Sequence, residues 1–315
     1  MHSPDRDPGA PRSRPAPSAP GEPSWPLPVR PLTAAEILDG TVALYKAHFR
    51  TYLTLGVLLQ LPALLASLLF AGFLPILIGD EPPSDLAILL LGQGFLLTFA
   101  LFGLHGLVVR PILTGAAVHA TAGLFYGQRP RIRDALRAGL RQALPLVLTT
   151  LLAGLLATLA LPVLVLAGLL VLAVITVPVG YIAFLVYFHF YPQVIMVENR
   201  GYFEAFRRSF RLVRGHFWRI LGIGVVVVIG TALVQGALVL PGAAAFFAVP
   251  LLTGQEAMRT VAGIGTAVLG IAAEALMAPV PAIAGTLAYL DLRMRKEGLD
   301  IWLAAEGLAA AGARP

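Results

Sequence analysis

Between Leu144 and Val197 the chain runs for 54 residues without one Asp, Glu, Lys or Arg. A helix of that length would extend roughly 80 Å, well over twice the roughly 30 Å hydrocarbon core of a bilayer. The stretch therefore predicts two membrane spans joined by a turn, placed between Gly168 and Gly180 near Pro178.

Four further apolar segments complete the pattern. Span one is expected over about Tyr52 to Ile78, followed by an acidic turn from Gly79 to Asp85. Span two starts near Leu86 and stays mostly apolar to Tyr126, with Arg110-Pro111 predicting a kink inside it. Span five is expected over Trp218 to Ala248 and span six over Val261 to Leu290, with Gln255, Glu256 and Arg259 in the turn between them. The composition agrees: 57% of residues are hydrophobic, 13% are charged and mean hydropathy is +0.81. Average soluble chains carry about 25% charged residues. The expected fold class is thus an all-α integral membrane protein of six transmembrane helices.

Three short segments before spans one, three and five have helical amphipathic spacing. In the first, Thr33-Ala34-Ala35-Glu36 is a capping box, and Ile37, Leu38, Val42, Tyr45 and Phe49 share a face. In the second, Ile132, Leu136, Leu140 and Ala143 oppose Arg133, Arg137 and Arg141. In the third, Phe203, Phe206, Phe210, Val213 and Phe217 oppose Arg207, Arg208, Arg211 and Arg214. Each segment is expected to lie in the interface ahead of a helical hairpin, giving three hairpins. Glu36 to Gly56 also aligns with Glu204 to Gly224, matching His48-Phe49 with His216-Phe217, and Pro111/Gly115 aligns with Pro281/Gly285. Units with an even number of spans repeat in parallel.

The arginines set the orientation. With six spans, one side holds every Lys and Arg except Arg259, so both termini are expected in the cytoplasm. Residues 1–31 contain ten prolines and no apolar run, which predicts a disordered tail and no secretory signal. The six-span domain is expected over 32–298, with a short tail at 299–315.

The net charge of +6 and the pI near 10.0 would suggest nucleic acid in a soluble chain. Here the basic residues flank apolar spans, so the expected partner is the bilayer, through anionic phospholipids, with a membrane protein as a further possible partner and no nucleic acid. There is no cysteine, which excludes disulfides and thiolate metal sites. No phosphate loop, nucleophile elbow or HExxH motif is present. No cofactor, metal site or catalytic residue is expected.

Intramembrane polar residues are few and costly. His105 in span two and Glu274 in span six fall at similar depth on the repeat alignment, so a His105–Glu274 contact is the sharpest candidate for a proton or substrate site. His189, in the aromatic run Tyr187 to Tyr191, reads as part of an interfacial belt. Gln60, Gln93 and Gln235 read as interhelical hydrogen-bonding groups. Arg207, Arg208, Arg211 and Arg214 read both as topological anchors and as a surface for anionic headgroups or a partner, at about 1 kcal/mol per residue.

Three segments carry a family resemblance. They are Arg30-Pro31-Leu32-Thr33-x-x-Glu36-Ile37-Leu38-Asp39-Gly40 with Leu44-Tyr45-Lys46-x-His48-Phe49; Glu204 through Trp218; and Tyr289-x-Asp291-Leu292-Arg293-x-Arg295-Lys296-Glu297-Gly298. Together they resemble the bacterial family named after the membrane domain of glycerophosphoryl diester phosphodiesterase, over about residues 30 to 300. In the enzymes behind that name a soluble barrel, with a His-Arg-Gly start and metal-binding acids, does the chemistry. This chain contains no such segment, so the resemblance implies a membrane domain without phosphodiesterase activity, in a bacterial inner membrane. The expected function is a non-enzymatic scaffold or accessory protein; the alternative is a small transporter using His105 and Glu274.

Overall fold

The computed structural model describes residues 30–77, 84–128, 131–167, 173–253, 256–303 and 305. Among these there are helices and no strand. Six helical stretches are long and apolar enough to cross a membrane: Phe49–Phe70, Asp85–Phe125, Ala143–Val163, Val174–Glu198, Phe217–Val249 and Val261–Glu297. In the most apolar part of the second to fifth, 11% of residues are buried, against 33% in the first and sixth. So large an exposed apolar surface suits lipid and not water.

Twelve α-helices make up the described chain. They are α1 (Ala34–Ala47), α2 (Phe49–Leu77), α3 (Asp85–Leu104), α4 (Arg110–Phe125), α5 (Ile132–Arg141), α6 (Ala143–Ala167), α7 (Ala173–Phe188), α8 (Tyr191–Glu198), α9 (Tyr202–Val213), α10 (Phe217–Thr253), α11 (Glu256–Met277) and α12 (Pro279–Glu297). A π segment, His105–Val109, joins α3 to α4.

Spans two, four and six each break before a proline. Pro111 follows the π segment, Pro192 follows a turn at His189-Phe190, and Pro279 follows Ala278. A proline in the first helical turn lacks only an N–H that would have no intrahelical acceptor there, so each break restarts a helix cheaply. Span six, expected to be continuous, is therefore divided. At the second break Ser209 accepts from the Phe190 N–H (3.1 Å) and donates to the Tyr187 carbonyl (2.8 Å), satisfying two groups that the break frees.

The core lies where these restarted helices meet. α4 packs on α8 and on α12, and α8 touches α12. Every residue from Ala282 to Leu292 is buried. The short helices close around them: α5 against α4, α9 against α8 and α1 against α12. The consecutive pairs α2–α3, α6–α7 and α10–α11 are in contact, and α2 also packs along α11. There Gly56 is required: a Cβ on it would lie 1.9 Å from the Ala275 carbonyl oxygen.

The capping box of α1 is present, with Thr33 accepting from the Glu36 N–H (3.2 Å) and Glu36 accepting from the Thr33 N–H (2.7 Å). The buried face differs from the expected one. Ile37, Gly40, Thr41 and Leu44 are buried, whereas Val42 and Phe49 are exposed. In α9 the buried residues are Ala205, Phe206, Ser209, Leu212 and Val213, and Phe203 and Phe210 face outward. Both helices have a protein face and a separate outward apolar face, so hydropathy alone selects a direction between the two. Pro178 lies inside α7 and not in a turn; the connection at 168–172 lies outside the described residues. So do the tail at 1–29, most of the acidic turn (78–83), residues 254–255 and most of the C-terminal segment after 303. Residues 299–303 are helical.

Candidate functional site

The densest polar arrangement sits at the charged ends of α8, α9 and α12. Asp291 has no exposed surface. It accepts from the Leu32 N–H at 2.8 Å, from Arg219 Nη2 at 2.9 Å and from Arg295 Nε at 3.0 Å. Arg219 and Arg295 each also donate to the Leu32 carbonyl at 2.6 Å. Both polar groups of one backbone residue are thus held by an ion triad, which fixes the entry to α1.

A second network lies beside it. Arg208 Nε donates to Glu198 at 2.9 and 3.0 Å, and Arg208 Nη2 donates to Glu297 at 2.8 Å. The Tyr289 hydroxyl donates to Glu198 at 2.6 Å, Arg200 pairs with Glu198 at 2.7 Å, and Arg293 donates to Glu297 at 3.2 Å. Burial alone would lower the affinity of Arg208 for its proton; the bonds to Glu297 and Glu198 more than offset this and raise it. Lys296 donates to the carbonyls of Arg211 (2.9 Å) and Arg214 (2.5 Å), capping α9.

The four-arginine face of α9 is consequently divided. Arg208 is consumed by two carboxylates, whereas the side chains of Arg207, Arg211 and Arg214 are exposed and make no hydrogen bond or ion pair among the described residues. On α5, Arg133, Arg137 and Arg141 are exposed in the same way beside the exposed Leu140 and Leu144. Shallow concavities run along this helix, lined by Thr51, Arg131, Arg133, Leu136, Arg137 and Arg141.

His105 and Glu274 are not brought together. His105 is buried, and its Nδ1 lies 3.0 Å from the Leu59 carbonyl of α2. Glu274 is half-buried on α11, next to Ala275, whose carbonyl faces Gly56 of α2. No hydrogen bond or ion pair joins the two. Both adjoin α2, whose Gln60 is buried with neither amide atom partnered. Thr98 on α3 is also buried and unpartnered, although Thr41, Thr121, Thr149 and Thr286 all bond back to the carbonyl four residues earlier. Among the described residues no group of three His, Asp or Glu side chains is placed to hold a metal ion.

Sequence reasoning placed Asp291 to Glu297 as a charged span end and missed its role as a hub. The available signal was an Asp in an otherwise apolar stretch, with Arg219 alone in the first turns of span five. Opposite charges at two span ends are a pairing signal, but the partner among several candidates cannot be chosen without the packing.

Residues 51–292 match the family described as Domain of unknown function (DUF7847), and the chain belongs to that family. No curated protein matches the chain. No solved structure matches it either.

Proposed function

Starting from membership of that family, we propose that the protein is a non-enzymatic scaffold or accessory protein of the bacterial inner membrane. In this reading three membrane hairpins are each introduced by an interfacial helix (α1, α5 and α9), and both termini are cytoplasmic. The interfacial helices engage anionic phospholipid headgroups. The observation that carries the reading is the set of exposed, unpaired arginines on α5 and α9, flanked by the exposed Leu140, Leu144, Phe203 and Trp218. A cation beside an outward apolar side chain matches the phosphate and acyl regions of one lipid.

The test is native mass spectrometry of the protein extracted gently from its own membranes. Retained anionic phospholipid should be lost when Arg207, Arg211 and Arg214 are replaced together by Glu, and further lost when Arg133, Arg137 and Arg141 are also replaced. An unchanged lipid complement in folded variants would overturn the reading.

A further inference from the structure

A different polar site lies at the break in span four, and its evidence is independent of the arginines. His189 keeps an exposed surface, while its imidazole Nε2 faces α12. One turn on, Gln193 is 2% exposed and its Oε1 has no hydrogen-bond partner. The two side chains converge on α12. A Cβ built on Gly285 would lie 3.0 Å from His189 Nε2 and 2.9 Å from Gln193 Nε2. The absent side chain at Gly285 is what admits both groups, and it leaves them within reach of one bridging hydroxyl.

The lining determines what fits. From Leu144 to Val197, and from Pro279 to Leu290, no residue carries a formal charge. A charged guest would therefore lie in a poorly compensated environment. The unpartnered Gln193 Oε1 needs a donor, and an imidazole nitrogen can give or accept a hydrogen bond. An O–H group satisfies both. We propose that His189, Gln193 and Gly285 form a membrane-embedded, water-accessible site for a small neutral solute bearing a hydroxyl group.

The chain has no cysteine, so a single introduced thiol reports on one position. His189→Cys in the full-length protein in liposomes is treated with three methanethiosulfonates: neutral hydroxyethyl, cationic trimethylammonioethyl and anionic sulfonatoethyl. Each rate is normalised to that of the exposed Arg137→Cys variant. The neutral hydroxyl reagent should react about tenfold faster than either charged one, because the lining does not compensate a charge. Adding Gly285→Leu should slow it by a similar factor. No reaction with any of the three, equal rates for all three, or no effect of the leucine would each overturn the proposal. If His189→Cys does not fold, carbethoxylation of wild-type His189 is read by peptide mass spectrometry. Labelling of His189 well ahead of the buried His105 supports the site; equal or slower labelling removes it.

Discussion

The Asp291 carboxylate accepts a hydrogen bond from the Leu32 backbone N–H at 2.8 Å, although 259 residues separate them. This contact ties the start of the described chain to its last long helix. Because Arg219 of α10 shares both partners, one buried acid holds α1, α10 and α12 together.

Asp291→Asn should therefore be severely destabilising. It leaves Arg219 and Arg295 without their anion, and removing one partner of a buried pair costs on the order of 3 kcal/mol. Thermal unfolding in detergent should show the loss. The double variant Arg219→Met/Asp291→Asn should lose less than the sum of the singles, because the two residues share one interaction. Additive losses would mean that the triad is not a unit.

The arginines of α9 should separate into two classes. Arg208→Met removes the cation that bridges Glu198 and Glu297, which keep only Arg200, Tyr289 and Arg293, and should cost on the order of 2 kcal/mol. Arg207→Met and Arg211→Met remove exposed, unpaired side chains and should stay within about 0.5 kcal/mol of wild type. Equal effects at positions 207 and 208 would contradict the division of that face.

Gly56 and Gly224 are matched on the internal repeat yet should respond in opposite ways. A methyl on Gly56 meets backbone at 1.9 Å, whereas one on Gly224 meets nothing within 4 Å. Gly56→Ala should destabilise by about 1–3 kcal/mol or more through overpacking between α2 and α11. Gly224→Ala should be neutral or stabilising, since Ala favours the helix by up to about 1 kcal/mol. Thermal melts of the two variants decide it.

The pH dependence of the α1 cap has a definite sign. Hydrogen bonds from the Thr33 N–H, Arg30 and the Thr33 hydroxyl hold Glu36 down at about 2. A lowered acid contributes stability above its unfolded value and loses it as pH falls through the folded one. Amide protection in the first turn of α1, corrected for intrinsic exchange, should therefore stay level from neutrality to about pH 5 and fall progressively between there and about pH 2. In Glu36→Gln it should be lower at neutral pH and lack that acid step. Protection that does not change between about pH 5 and about pH 2 would show that the carboxylate is not held.

The existence and type of the long elements were legible because lipid imposes a simple rule: uncharged stretches of sufficient length must close their backbone hydrogen bonds within a helix. The helices within the charge-free run from Leu144 to Val197 follow from it. The faces of the short helices were not legible. In α9 the outward Phe203 and Phe210 are as apolar as the inward Phe206 and Val213, so periodicity cannot tell membrane from protein. His105 has the Leu59 carbonyl of α2 at 3.0 Å, a neighbour that equal depth on the repeat alignment does not select.

Sequence by itself determined the six apolar helices and the α1 cap. Each depends on neighbours along the chain or on the chain's preference between lipid and water. Tertiary structure alone decided that Arg208 is spent on Glu198 and Glu297 while Arg207 stays free, that Asp291 rather than Glu274 is the buried acid with partners, and that His189 and Gln193 meet over Gly285. Those outcomes depend on which helix faces which across many intervening residues. A charge or an amide takes whatever partner packing puts within about 3 Å, and composition does not encode that choice.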